Sequence, residues 1–178
     1  IKFENQPIRG DITFTKKDTT TNTPMANTVF EISSINSSYT ENIGKNGGAV
    51  IVMTDGKAVM NSDSNDAKFM SNVANGNGGA LFVNIGGSVE MTGYQFESNK
   101  GNQGAAVYVQ KDAKLAELTD VVMTGNQATN GGAIYCNGTL TVSESEFKLN
   151  QSKSEGGAIY ANEGSIVTVT ECDFEENK

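Results

Sequence analysis

Histidine does not occur in this 178-residue chain. Its absence removes the usual general base near neutral pH, the commonest zinc ligand and any serine–histidine nucleophile. The single arginine is Arg9, and beyond the N-terminal part the aspartates Asp55, Asp63, Asp66, Asp112, Asp120 and Asp173 are scattered along the chain. Hydrolysis of a glycosidic bond by two carboxylates needs one on each side of that bond, and no spacing here sets up such a pair. The reading is therefore non-enzymatic, with no cofactor and no metal. The best cation candidate is Asn61-Ser62-Asp63-Ser64-Asn65-Asp66, which offers oxygen ligands at alternating positions. It lacks the glycine and the distal glutamate of an EF-hand loop, and reads as a solvated surface loop.

Two kinds of side chain do recur at steady spacing. Ile51, Phe82, Tyr108, Tyr135 and Tyr160 occupy one equivalent position, each just after an apolar residue such as Ile134. If Ile134 and Cys136 point inward, this column points outward, where Phe82, Tyr108, Tyr135 and Tyr160 could stack on sugar rings or on a neighbouring molecule. The neighbours Val52, Val83, Val109, Cys136 and Ala161 are largely apolar as well, so the opposite facing stays open. The second set is Asn42, Asn72, Asn99, Asn126, Asn150 and Asn177. Amides stacked one above another can donate to one neighbour and accept from the other, forming an internal ladder.

These residues belong to a repeated pair of motifs. Gly-Gly-Ala followed by an aliphatic residue occurs at Gly47, Gly78, Gly131 and Gly156, with a degenerate copy at Gly104-Ala105-Ala106-Val107. Phe-x-x-Asn occurs at Phe69, Phe96, Phe147 and Phe174, with relaxed copies at Tyr39 and Met123. Successive copies are 24 to 31 residues apart, the spacing of one supersecondary unit stacked on itself. Three strand-like segments fall in each unit. The first is exemplified by Ala133-Ile134-Tyr135-Cys136, the second by the alternation Leu140/Val142 and Val167/Val169, and the third ends in the Phe of Phe-x-x-Asn. The expected fold is all-β: a right-handed parallel β-helix with three strands per rung and about five to six rungs. The Phe column should stack inside it, and the rung containing Gly104-Ala105 and Met123 should be distorted.

Bulk composition agrees. Glycine and asparagine number 20 each, which suits short strands joined by tight turns. A net charge of −8 without a basic cluster argues against nucleic acid, and no apolar run is long enough for membrane insertion in this segment. Cys136 and Cys172 lie at different positions of the unit, so their spacing neither requires nor forbids a disulfide. Sequons occur at Asn36, Asn137 and Asn150; Asn137, in a turn, is the best acceptor among them. The chain opens at Ile1 and closes at Lys178 in mid-repeat, so a piece of a longer protein is expected. Residues 39–178 should form the β-helix, continuing beyond that piece. Residues 1–38 should form a divergent rung with a long polar loop.

With both motifs placed, the chain resembles the repeats of chlamydial polymorphic membrane proteins, whose passengers carry Gly-Gly-Ala-Ile and Phe-x-x-Asn, and more widely the pectin-lyase-like β-helix proteins. The stretch from Gly10 through Lys16 to Ile32 also resembles the opening strands of Cna-B/SpaA-type surface domains, the alternative reading of the N-terminal part. The first resemblance implies an extracellular or cell-surface, mostly non-catalytic segment: a structural stalk, filament subunit or adhesin. Its partners would be other copies or neighbouring parts of the same long chain, together with a glycan or a surface receptor. The alternative is a carbohydrate-binding or carbohydrate-active module using the aromatic column, since the pectin-lyase-like group also contains lyases and glycosidases.

Overall fold

The computed structural model describes the backbone of residues 29–33 and all of residues 38–63 and 66–178. The first rung consists of β1 (Val29–Ser33), β2 (Ser38–Thr40) and β3 (Ile43–Gly44). The second has β4 (Val50–Val52), β5 (Lys57–Asn61), β6 (Lys68–Met70) and β7 (Val73–Ala74), and the third β8 (Leu81–Val83), β9 (Ser88–Thr92) and β10 (Gln95–Glu97). The fourth holds β11 (Val107–Val109), β12 (Leu115–Thr119), β13 (Val122–Thr124) and β14 (Gln127–Asn130). The fifth holds β15 (Ile134–Cys136), β16 (Thr139–Ser143), β17 (Glu146–Lys148) and β18 (Gln151–Glu155), and the last β19 (Ile159–Ala161), β20 (Ile166–Thr170) and β21 (Asp173–Glu175).

Equivalent strands stack in parallel into three long sheets. Sheet 1 runs β1-β5-β9-β12-β16-β20, sheet 2 runs β2-β6-β10-β13-β17-β21, and sheet 3 runs β4-β8-β11-β15-β19. The chain is thus a parallel β-helix. The pairs β3-β7 and β14-β18 add a short fourth segment between the ladder asparagine and the glycine turn. β3 and β7 are only two residues long and β14 and β18 are mostly polar, so none of them gave a periodic signal of a strand.

Alternation decides which side chains go inside. In β9 and β16 the second and fourth residues, Val89/Met91 and Leu140/Val142, are buried, while their neighbours are half-exposed. Sheet 2 buries the middle residue of its four inner strands, Phe69, Phe96, Met123 and Phe147. Phe69 stacks on Phe96 at 4.8 Å between ring centroids, and Phe147 stacks on Phe174 at the same distance. Met123 takes the place of a ring between Phe96 and Phe147, in register with both. The expected distortion there is absent from the long sheets. Val107 pairs with Ile134 and Met123 with Phe147 in unbroken register, because alanine at 105 still fits the close approach and an unbranched methionine fills a phenylalanine slot. A register shift lies close by, in the short pair β14-β18 between Ala128 and Asn130.

Corners are made by left-handed backbone. At the Gly-Gly turns the first glycine has positive φ; a Cβ on Gly131 would run into the carbonyl oxygen of Ile134. Just before each ladder asparagine, positive φ falls on Glu41, Ser71, Ser98, Gly125, Leu149 and Glu176. The corner from sheet 1 to sheet 2 does the same with Gly93, Asp120, Glu144 and Glu171. Glutamate and leucine give no hint of such a conformation in sequence.

The strand β1 lies within residues 1–38 and pairs in parallel with β5, Val29 opposite Lys57 through Ser33 opposite Asn61. Residues 1–28 and 34–37, on which the rest of the divergent-rung and Cna-B/SpaA-like readings fall, lie outside the described residues.

Candidate functional site

The six asparagines form one continuous column. Each lies just after a left-handed corner, so its side chain turns into the rod beside the stacked rings of sheet 2. Asn72, Asn99, Asn126 and Asn150 are completely buried. Both the backbone N–H and the Nδ2 of Asn99 donate to Oδ1 of Asn126, at 3.0 and 2.9 Å, and those of Asn126 donate to Asn150, at 3.1 and 2.9 Å. The same double bond joins Asn42 to Asn72, Asn72 to Asn99, and Asn150 to Asn177. The second Nδ2 hydrogen points back: Asn126 donates to the carbonyl of Phe96 at 3.0 Å and Asn150 to that of Met123 at 2.8 Å. Every internal amide is thus saturated, and only by its neighbouring rungs.

The aromatic column has a different surrounding from the open strip considered above. It does face away from the main core, and it forms its own cluster of Phe82, Tyr108 and Tyr135 with Tyr160 packed against them. Its rings stack at 5.0, 5.3 and 4.9 Å along the column. Phe82, Tyr108 and Tyr135, however, are only 8%, 5% and 7% exposed. Their faces are taken up by one another, and their sides lie over the glycine turns. A Cβ on Gly47 would stand 3.1 Å from Cβ of Phe82, and one on Gly156 would stand 2.8 Å from Cβ of Tyr160. Glycine and aromatic residue are therefore two halves of one device. The phenols are held as well. Burial pushes the Tyr108 hydroxyl above its ordinary range, opposed by hydrogen bonding with Asn137 and Asn77. Burial and the adjacent Tyr160 and Tyr108 push Tyr135 up, opposed by Gln103. Tyr160 is half-buried.

The remaining candidates are dispersed. Asp55 sits in a turn 3.8 Å from Lys114, Asp112 and Asp120 lie on different corners, and Asp173 is on sheet 2. No group of three or more carboxylate or thiol side chains able to hold a metal occurs among the described residues. Ser64 and Asn65 of the cation candidate lie outside them. Cys136, at the end of β15, is buried and Cys172, just before β21, is half-buried, both as free thiols. Of the sequons, Asn150 is locked in the ladder, and Asn36 lies outside the described residues. Asn137 is not the free acceptor its turn position suggested. Its Oδ1 accepts from Asn162 at 2.9 Å and its amide is engaged with Tyr108.

Sequence reasoning missed Tyr94. It is fully buried against Phe69, at 5.6 Å between centroids, and its hydroxyl has no hydrogen-bond partner. Burial, reinforced by Tyr39, raises its pKa to about 12. Its position after a corner glycine, in place of Val121 or Ser145 of later rungs, was the available signal.

The model of the Chlamydia polymorphic membrane protein repeat matches residues 120–137 and 144–162. Those segments each run from the corner before sheet 2, through the Phe-x-x-Asn position and the glycine turn, to the end of a sheet 3 strand. The probable autotransporter YfaL of Escherichia coli (strain K12) is 34% identical over the matched stretch, which takes in 48% of this chain and 8% of that protein. No solved structure matches. At the level of its repeating unit, this chain is a parallel β-helix similar to the Chlamydia polymorphic membrane protein repeat.

Proposed function

We propose that this chain is a rigid, non-catalytic segment of a cell-surface protein, a stalk that carries adhesive or self-associating surfaces away from the cell. The observation that supports it best is the asparagine ladder. An internal amide column running from Asn42 to Asn177 is satisfied only while successive rungs stay together, so bending or local opening leaves buried donors bare. That is a device for stiffness. The similarity to an autotransporter and to polymorphic membrane protein repeats supports a surface location. Contacts with other copies, neighbouring parts of the same long chain, or a receptor belong to the outward faces of sheets 1 and 2, whose side chains alternate away from the core.

Antibody raised against the chain should label intact cells of the source organism, and brief protease treatment of those cells should remove the label. Label found only after permeabilisation would overturn the surface assignment. In single-molecule stretching the rod should unfold in steps of about one rung at forces well above those of a helical bundle; smooth, low-force extension would overturn the stalk.

A further inference from the structure

The turns leading from sheet 3 to sheet 1 differ in length. Residues 53–56, 84–87, 110–114 and 162–165 make turns of four or five residues, but the turn between β15 and β16 is only Asn137-Gly138. These turns build a ridge along the rod, and the short one leaves a notch in it. The flanking turns are two rungs apart, roughly 9.6 Å. The space between them is a cleft of about 370 Å³.

Lys111 and Asp112 stand on one side, Glu163 and Ile166 on the other, and Asn137, Gly138 and Thr139 form the floor. The floor is fixed in place. Gly138 tucks under the longer turn above, where a Cβ would stand 2.7 Å from the Gln110 carbonyl oxygen, and Asn137 is clamped between Asn162 and Tyr108. The walls carry chemistry that the fold does not use. Neither Asp112 nor Glu163 takes part in an ion pair among the described residues, and Ile166 is 64% exposed.

We propose that this cleft holds one neutral, hexose-sized residue of a glycan. Two carboxylates on opposing walls accept from ring hydroxyls, and Thr139 and the remaining Asn137 N–H add a donor each. The exposed face of Ile166 lies against ring C–H groups, the apolar part of such a ligand. Two carboxylates against the one cation of Lys111 give the cleft a net negative charge, which rejects uronates and phosphates. The cleft is open to solvent, so a longer glycan can extend out of it with one unit seated. This site is separate from the stalk reading, and a rod can be a stalk with or without it.

The test is a glycan array probed with the labelled chain, followed by titration of the neutral oligosaccharide hits against isotope-labelled protein by NMR. Shifts should centre on Gly138, Thr139, Glu163 and Ile166. Glu163→Gln combined with Ile166→Ala should weaken binding at least tenfold, and lengthening the short turn by two residues after Asn137 should abolish it. Lys153→Gln, in β18 and outside the lining of the cleft, should leave it unchanged. Far-ultraviolet circular dichroism and the melting temperature of each variant separate loss of the site from loss of the fold. An array with no neutral hit, shifts centred elsewhere, or full affinity in the folded variants would overturn the proposal, as would preference for uronates.

Discussion

A buried amide that is fully bonded stabilises modestly, whereas the groups stranded by its removal cost much more. Asn126 shows why. Replacing it with alanine leaves the N–H and Nδ2 of Asn99 without their acceptor and removes the Nδ2 donor from Oδ1 of Asn150 and from the Phe96 carbonyl, all inside a completely buried column; only the backbone N–H of residue 126 still donates to Asn150. Asn126→Ala should therefore cost about 2–4 kcal/mol, measured by denaturant unfolding. A loss below about 0.5 kcal/mol would mean water or relaxation replaces the ladder. Tyr94 makes the opposite case, because its hydroxyl is buried and unpartnered. Tyr94→Phe should be neutral or slightly stabilising at pH 7. Its folded pKa of about 12 lies above the ordinary tyrosine value of 10.0, so the neutral phenol is favoured by folding. That contribution is fully present below pH 10 and is lost as pH rises through 10 towards 12. The wild-type chain should lose about 2–3 kcal/mol more than Tyr94→Phe over that window. Parallel pH–stability curves would show that the phenol is not buried as described. The ladder was legible in the sequence because a single residue type recurs at one slot. Tyr94 was not, since valine and serine hold the same slot in other rungs.

At the scale of strands and corners, the three sheets were readable from period-two alternation and from the Phe column. The facing of the aromatic column was not, because apolar residues flank it on both sides and alternation cannot separate core from a second, covered cluster. Corner geometry was half legible. Glycine announces positive φ, whereas Glu144 at φ 51° does not. Two substitutions separate these cases. Gly131→Ala should destabilise by about 3 kcal/mol or more, since the residue combines positive φ with a carbonyl in the path of any Cβ. Glu144→Asn should instead stabilise by about 0.5–1 kcal/mol, since asparagine adopts that backbone more readily and Glu144 is an exposed residue without an ion pair among the described ones. Thermal unfolding of both variants measures the contrast, and equal effects of the same sign would refute this account of the corners.

Across the whole rod, each rung touches mainly the rungs on either side, and stability becomes a sum of rung and interface contributions. The unit is therefore removable, provided register is kept. Met123 pairs with Phe147, so deleting residues 124–147 joins Met123 to Lys148, the partner of Thr124. In that product Asn99 would meet Asn150, Phe96 would meet Met123 as before, and every sheet would lose one strand without a break. The shortened chain should fold, unfold cooperatively at a lower midpoint, and shorten along the rod axis by roughly 4.8 Å in small-angle scattering. Deleting only residues 124–135 removes half a turn and sends the following strands to the wrong sheets, with the asparagine column cut. That chain should give no cooperative transition. If both deletions fold equally well, the rungs do not act as the structural unit; if neither folds, stability resides in contacts that the nearest-neighbour picture omits.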